Sequence, residues 1–374
     1  MSKTLIHFFL IFIFLGCSKD DKKYEEEIIL NKEYCWESIS GSSHSVSIQS
    51  DGSLWTWGMN TYGQLGDGTY VQKNSPIQIL KGTSWKKVYA GKDHTLAIKS
   101  DGTLWAWGSN EDYQLGINLV LRNKNIPTQV GTDNDWESIS SGYLFCLAIK
   151  KNGTLWAWGY NDSGCLGLGT DNQLYASPTQ VGTSKWKYVS GGARHCLGIQ
   201  EDGTLWAWGN NINGQIGDGK NRVYYNSPIK ISNQSNWLVV SSGADFSLAL
   251  KSDGTIWSWG KNDGGQLGIG NKNEVTIPSQ IGTDVNWSSI STGFTSSVAL
   301  KKDGSLWVWG DGSKLTPSRV GNDVNWKFVT SGWFYVAAIK KDSSLWTWGY
   351  NFLGQLGDGT IVDKALPTFI SCQY

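Results

Sequence analysis

The hydrophobic pattern of this chain repeats. A short motif with apolar residues at alternate positions, two of them Trp, occurs seven times: LWTWG at 54–58, LWAWG at 104–108, 155–159 and 205–209, IWSWG at 256–260, LWVWG at 306–310 and LWTWG at 345–349. The spacings are 50, 51, 50, 51, 50 and 39 residues. Upstream of each copy lies a further Trp that opens a short β-branched run: Trp36, Trp85, Trp136, Trp186, Trp237, Trp287 and Trp326. Residues 136–181 show the unit in full. WESIS predicts a first strand, Gly142 a loop, FCLAIK a second strand, Asn152-Gly153 a tight turn, TLWAWG a third strand and PTQV a fourth. Asp-Gly or Asn-Gly holds the same turn in six units, a pair suited to a type I′ hairpin with positive φ at both central residues. The seventh has Asp342-Ser343 and should turn more loosely or by another type.

Four short strands per unit of about 50 residues predict an all-β chain, a seven-bladed β-propeller. In each motif the two Trp at i and i+2 share one sheet face, and the small residue between them faces the neighbouring blade. The sixth unit departs from the pattern. After LWVWG it runs directly into DGSKLTPSRV and lacks about 11 residues, which predicts a trimmed loop and a notch in the rim.

Composition narrows the function. The 374 residues carry 32 Lys+Arg against 32 Asp+Glu, so no basic face points to nucleic acid. The first residues read as a targeting segment. Lys3 precedes an apolar run, 5–15, that is too short to span a bilayer and suits a signal-peptide core, 1–16. Gly16-Cys17 then resembles a bacterial lipobox, with Cys17 the lipidated residue; the alternative is an ordinary cleaved signal peptide. Residues 17–34 read as the lipidated Cys and a flexible, self-solvating tether, and 35–374 as the propeller. Ser18-Lys19-Asp20-Asp21 resembles the export signal of surface lipoproteins, which implies an outer-membrane lipoprotein on the cell surface.

Repeats of the form W-x-x-V-x-x-G-x-x-H-S-L-A-I-x-x-D-G-T-L-W-A-W-G-x-N-x-x-G-Q-L-G resemble the regulator of chromosome condensation family in its bacterial form. The resemblance covers 36 to about 371. It implies the seven-bladed fold and says little of function, which sits in the loops. The family's eukaryotic exchange factor uses an inserted wedge to displace a nucleotide from a GTPase; nothing here matches that wedge.

The loop between strands one and two varies most. The three residues after each repeat Gly are Ser42-Ser43-His44, Lys92-Asp93-His94, Tyr143-Leu144-Phe145, Ala193-Arg194-His195, Ala244-Asp245-Phe246, Phe294-Thr295-Ser296 and Trp333-Phe334-Tyr335. All should emerge at one end of the ring. Aromatics beside Arg, Lys and Asp suit a protein-binding hot spot. In the family's β-lactamase inhibitor and plant photoreceptor, the corresponding loop gives aromatic contacts to a partner. The expected contact residues are Tyr143, Phe145, Arg194, Phe246, Phe294, Trp333, Phe334 and Tyr335, with Tyr143, Phe294 and Trp333 foremost. The alternative is that some turn inward and fill the top of the channel.

The chemistry of an enzyme is not visible. The three His of the mature chain fall in blades one, two and four, where they fit structural hydrogen bonds better than a metal site. No nucleophile motif stands out, and no cofactor or metal is expected. The GDGT-like loops at 67–69 and 358–360 lack the oxygen run of a calcium site. A closed ring would bring Cys35 and Cys372 together as a disulfide clasp; the alternative is two unpaired thiols. Cys146 and Cys196 read as small buried residues and Cys165 as a free, partly buried thiol. The expectation is a non-catalytic, surface-tethered binding module for a protein or peptide, with a glycan binder or an exchange-factor-like protein as alternatives.

Overall fold

A computed structural model describes residues 35–118, 122–221 and 223–372. Residues 1–34, on which the signal peptide, the lipidated Cys17 and the tether are expected, lie outside the described residues. The strands form five separate four-stranded antiparallel sheets and one seven-stranded sheet. The larger sheet is two blades joined by one continuous strand, Leu174–Gly191, which serves as the outermost strand of blade three and the innermost of blade four. The blades are thus seven: 36–79, 85–129, 136–180, 186–232, 237–280, 287–319 and 326–370.

The continuous strand has a cause in the spacing. Val181 and Trp186 are five residues apart, whereas Ile79 and Trp85, Val130 and Trp136, and Ile281 and Trp287 are six apart. The shorter connection has no slack for the bend that separates the other blades.

Each blade buries both faces, and Trp of one blade packs on the preceding blade. Leu104 and Ala106 of blade two share a core cluster with Trp136 and Trp158 of blade three. Inside a blade the three Trp meet edge to face, as Trp36 does with Trp55 and Trp57 at 6.3 and 5.8 Å. Five of the seven second strands close these stacks with a Lys over the rings, Lys251 standing 3.8 Å from the Trp257 centroid.

The tight turns correct one expectation. Gly52, Gly102, Gly153, Gly203, Gly254 and Gly304 have positive φ, but the Asp or Asn before each does not. The Gly52 N–H donates to the Gln49 carbonyl at 2.9 Å, and the Asp51 carboxylate accepts the Ser53 N–H at 2.8 Å. This is the three-residue hairpin loop with Gly alone on the left-handed side, not a type I′ turn. The Asp supplies an acceptor where φ > 0 is not needed. The Asp342-Ser343 turn is also not of another type. Ser343 takes φ +70° in place of Gly and keeps both bonds, 3.0 Å from its N–H to the Lys340 carbonyl and 3.0 Å from the Ser344 N–H to Asp342.

Blades one and seven close the ring without sharing a strand. The Trp36 N–H donates to the Ser343 carbonyl at 3.0 Å, the Trp36 indole to the Ile370 carbonyl at 3.3 Å, and Cys35 is bonded to Cys372. Cys146, Cys165 and Cys196 are free and buried; Cys165 is fully so, not partly.

Candidate partner-binding face

The loops between strands one and two and those between strands three and four emerge at the same end of the ring. The backbone ties them together: the N–H groups of Ser109, Tyr160 and Tyr350 donate to the carbonyls of Asp93, Leu144 and Phe334. A central channel of about 1170 Å³ runs inside the innermost strands, lined by residues such as Ser40, Tyr89, Ser140, Tyr188 and Phe328.

The three loop positions have three fates. The first points toward the channel mouth. Tyr143, Phe294 and Trp333 come from blades three, six and seven, yet their rings meet: Tyr143 and Trp333 centroids lie 5.3 Å apart, Phe294 and Trp333 5.8 Å, Tyr143 and Phe294 6.5 Å. They stand over a crevice of about 90 Å³ where the seven loops converge. The Lys92 ammonium sits 5.3 Å from the Tyr143 ring and 5.6 Å from Trp333. All three aromatics are half-buried, packed on one another with part of each ring left to solvent.

The second position is exposed only in blades four and seven, and in blade one Ser43 is buried and donates to the Lys92 carbonyl at 2.7 Å. Phe334 is 43% exposed and touches Phe294 on one side and Tyr350 on the other, both at 5.6 Å between centroids. Arg194 is exposed and paired with Asp162 at 3.0 Å. Burial holds the Asp93 and Asp245 carboxyls above the usual carboxylate range, with Lys92 and Lys261 respectively pulling the other way. Burial, then the Asp245 carboxylate, pushes the Tyr143 phenol up, so it stays a neutral donor.

The third position points into the blade interface, and this corrects three of the expected contact residues. Phe145, Phe246 and Tyr335 are 1%, 0% and 2% exposed and cannot touch a partner. They occupy the place held by His44, His94 and His195, which reach the next blade: His44 Nε2 lies 2.7 Å from Thr95 Oγ1, His94 Nε2 3.1 Å from Cys146 Sγ and His195 Nε2 3.0 Å from Ser247 Oγ. Tyr335 does the same across the ring closure, to the Ser45 hydroxyl. The repeat Gly is required because this third ring lies over it. A Cβ on Gly142 would come within 2.1 Å of Phe145, and one on Gly91 within 2.4 Å of His94.

Sequence reasoning also missed Tyr350 and Phe352, which are 53% and 59% exposed on blade seven. The signal was present: they fill variable positions of Y-N-F-L-G-Q-L-G with large apolar rings. The Asp residues of the GDGT loops are engaged within the fold, Asp67 accepting from Asn60, Thr69 and its hydroxyl at 2.8–3.1 Å. Among the described residues no three His, Cys, Asp or Glu side chains gather as a metal would need.

The family model for the RCC1-like domain matches residues 16–281, and models for the regulator of chromosome condensation (RCC1) repeat match 287–314 and 342–372. Among curated relatives, the probable E3 ubiquitin-protein ligase HERC4 of Homo sapiens is 32% identical over 243 residues, which is 64% of this chain and 18% of that protein. The chain therefore spans less than a fifth of that relative's length. Among solved structures, human WBSCR16 superposes with a TM-score of 0.77 at 21% identity, covering 86% of this chain and 94% of that one. Prp20p of Saccharomyces cerevisiae superposes with a TM-score of 0.75 at 21% identity, covering 95% and 89%.

Proposed function

This chain belongs to the RCC1-like domain family, and from that premise we propose that it is a non-catalytic module that holds a protein or peptide partner on the aromatic end of its ring. The observation that carries the reading is the continuous aromatic run Tyr143–Trp333–Phe294–Phe334–Tyr350, assembled from three blades and half open to solvent. Half-buried rings on a rigid frame lose little side-chain freedom when a partner covers them, which is why such residues dominate interface energetics. Protein partners are in keeping with the family: the Prp20p structure is described together with its binding to Gsp1p and histones. The sequence of 1–34 supports delivery of the module to the outer surface of an outer membrane through lipid on Cys17.

The test is capture from envelope and culture-medium extracts on immobilised full chain, followed by titration of what binds. Phe334→Ala and Trp333→Ala are expected to weaken a protein partner more than tenfold with the unfolding midpoint little changed. Equal capture by both variants and by the parent chain would remove the aromatic face from the reading. Retention of polysaccharide alone would replace it with glycan binding, and nucleotide release from a captured GTPase with exchange.

A further inference from the structure

Six blades each carry a loop that the next blade receives, and the receiving site is built the same way every time. A backbone carbonyl of the loop (Gln64, Gln114, Cys165, Gln215, Gln266, Gln355) accepts a side-chain hydroxyl or thiol from the following blade. The donors are Thr95, Cys146, Cys196, Ser247, Ser297 and Ser45, at 2.7–3.2 Å. In five of the six sites the same carbonyl also accepts an indole N–H: Trp158, Trp208, Trp259, Trp309 and Trp57, at 2.8–3.0 Å. The next loop residue is Leu or Ile and is fully buried, and the one after is a Gly lying on the indole. A Cβ on Gly357 would meet Trp57 Nε1 at 2.6 Å, so only Gly fits there.

Blade six has no such loop. Gly310 pairs with Lys314 across a hairpin of three residues, Asp311–Ser313, where blade one runs from Gly58 to Lys73. The receiving site on blade seven nevertheless keeps its Trp, Trp348. Trp348 is 8% exposed where its six counterparts are 0–1%. Val308 of blade six is half-buried where the six other middle residues are fully buried. Ala365 is exposed where the matching residues of the other blades, such as Asn74 and Asn125, are half-buried under a loop. Position 336 is the one place where the hydroxyl or thiol has become Val, as it should where no carbonyl of the chain itself arrives to accept a bond.

We propose that the slot between blades six and seven is a docking site for a partner's peptide segment of Gln-Leu-Gly type, which supplies in trans the loop that blade six lacks. Its carbonyl would accept the Trp348 N–H, its Leu would pack against Val308 and Val336, and its Gly would lie on the indole. The six filled sites define this occupant. A second copy of the chain is a poor donor, because its own Leu residues are fully buried in their own sites. This site is separate from the aromatic channel mouth and does not depend on the function proposed there.

The experiment is fluorescence anisotropy with a labelled peptide of sequence NTYGQLGDGT, that of residues 60–69, added to the purified full chain. Saturable binding is expected, weakened at least tenfold when the peptide Leu is replaced by Ser. Trp348→Phe loses the donor together with part of the indole packing, and is expected to weaken binding at least fivefold; Val336→Ser, which leaves Trp348 in place and adds the donor used by the other blades, is expected to tighten it about fivefold. Replacing 311–313 with the sequence of 59–72 should abolish binding by filling the slot from within. The proposal is overturned if the peptide does not bind, if its Leu→Ser form binds equally, or if Trp348→Phe and Val336→Ser leave the affinity unchanged. A dimer of the chain that the peptide dissociates would assign the slot to self-association instead.

Discussion

At the scale of single residues, the third loop position shows how one site in a repeat accepts different chemistry. His, Phe, Tyr and Ser all occur there, and each lies at the seam between blades. Burial holds the pKa of His44, His94 and His195 down to about 3, so all three are neutral in the folded chain. The folded pKa is below the unfolded value of about 6.5, so the unfolded chain takes up protons that the folded chain refuses. Stability is therefore full above about pH 6.5 and falls as pH drops through the window from 6.5 to 3. Each His contributes a slope of up to about 1.4 kcal/mol per pH unit. Urea denaturation at pH 7.5 and 5.5 checks this. His94→Phe copies the Phe145–Cys196 seam of the next blade and should reduce the slope by about one proton. The equivalence of His and aromatic residues at this register was legible in the repeats. Reading the aromatics by chemistry, and not by their place in the register, put Phe145, Phe246 and Tyr335 on the wrong side of the loop.

At the scale of elements, the repeated motifs were enough to place the first and third strands of every blade, because a blade buried on both faces leaves each position one role. Turn geometry was less legible. Asp-Gly and Asn-Gly suit two hairpin types, and the choice depends on how many residues the flanking strands leave unpaired. The run from blade three into blade four was likewise written in the chain only as one missing residue. The seventh turn gives a direct check. Ser343 holds φ +70°, which costs a non-Gly residue about 1 kcal/mol. Ser343→Gly should recover about 0.5–1 kcal/mol, read as a higher urea midpoint with the same slope. A lower midpoint would mean that the Ser side chain has a role the turn does not reveal.

At the scale of the whole molecule, the ring was fully legible and the candidate face partly so. The repeats give blade number and loop direction, but which loop residues from blades three, six and seven meet depends on ring diameter and side-chain size. The Cys35–Cys372 bond spans 337 residues, and loop-closure entropy gives it about 6 kcal/mol. Denaturation with and without reductant should differ by up to that amount; equal midpoints would show that packing between blades one and seven closes the ring unaided.

The position of that bond also decides how the ring carries a mechanical load. A pull through residues preceding Cys35 reaches the sulfur bridge within one residue of entering the fold. It is shared at once between the first strand of blade one and the last strand of blade seven, which lie on opposite edges of their sheets. Blade one cannot peel away strand by strand, because its leading end is held to the far end of the chain. Force applied at this end would load two blades together before any strand of blade one could peel away, so reducing the bridge should lower the force at which the ring opens.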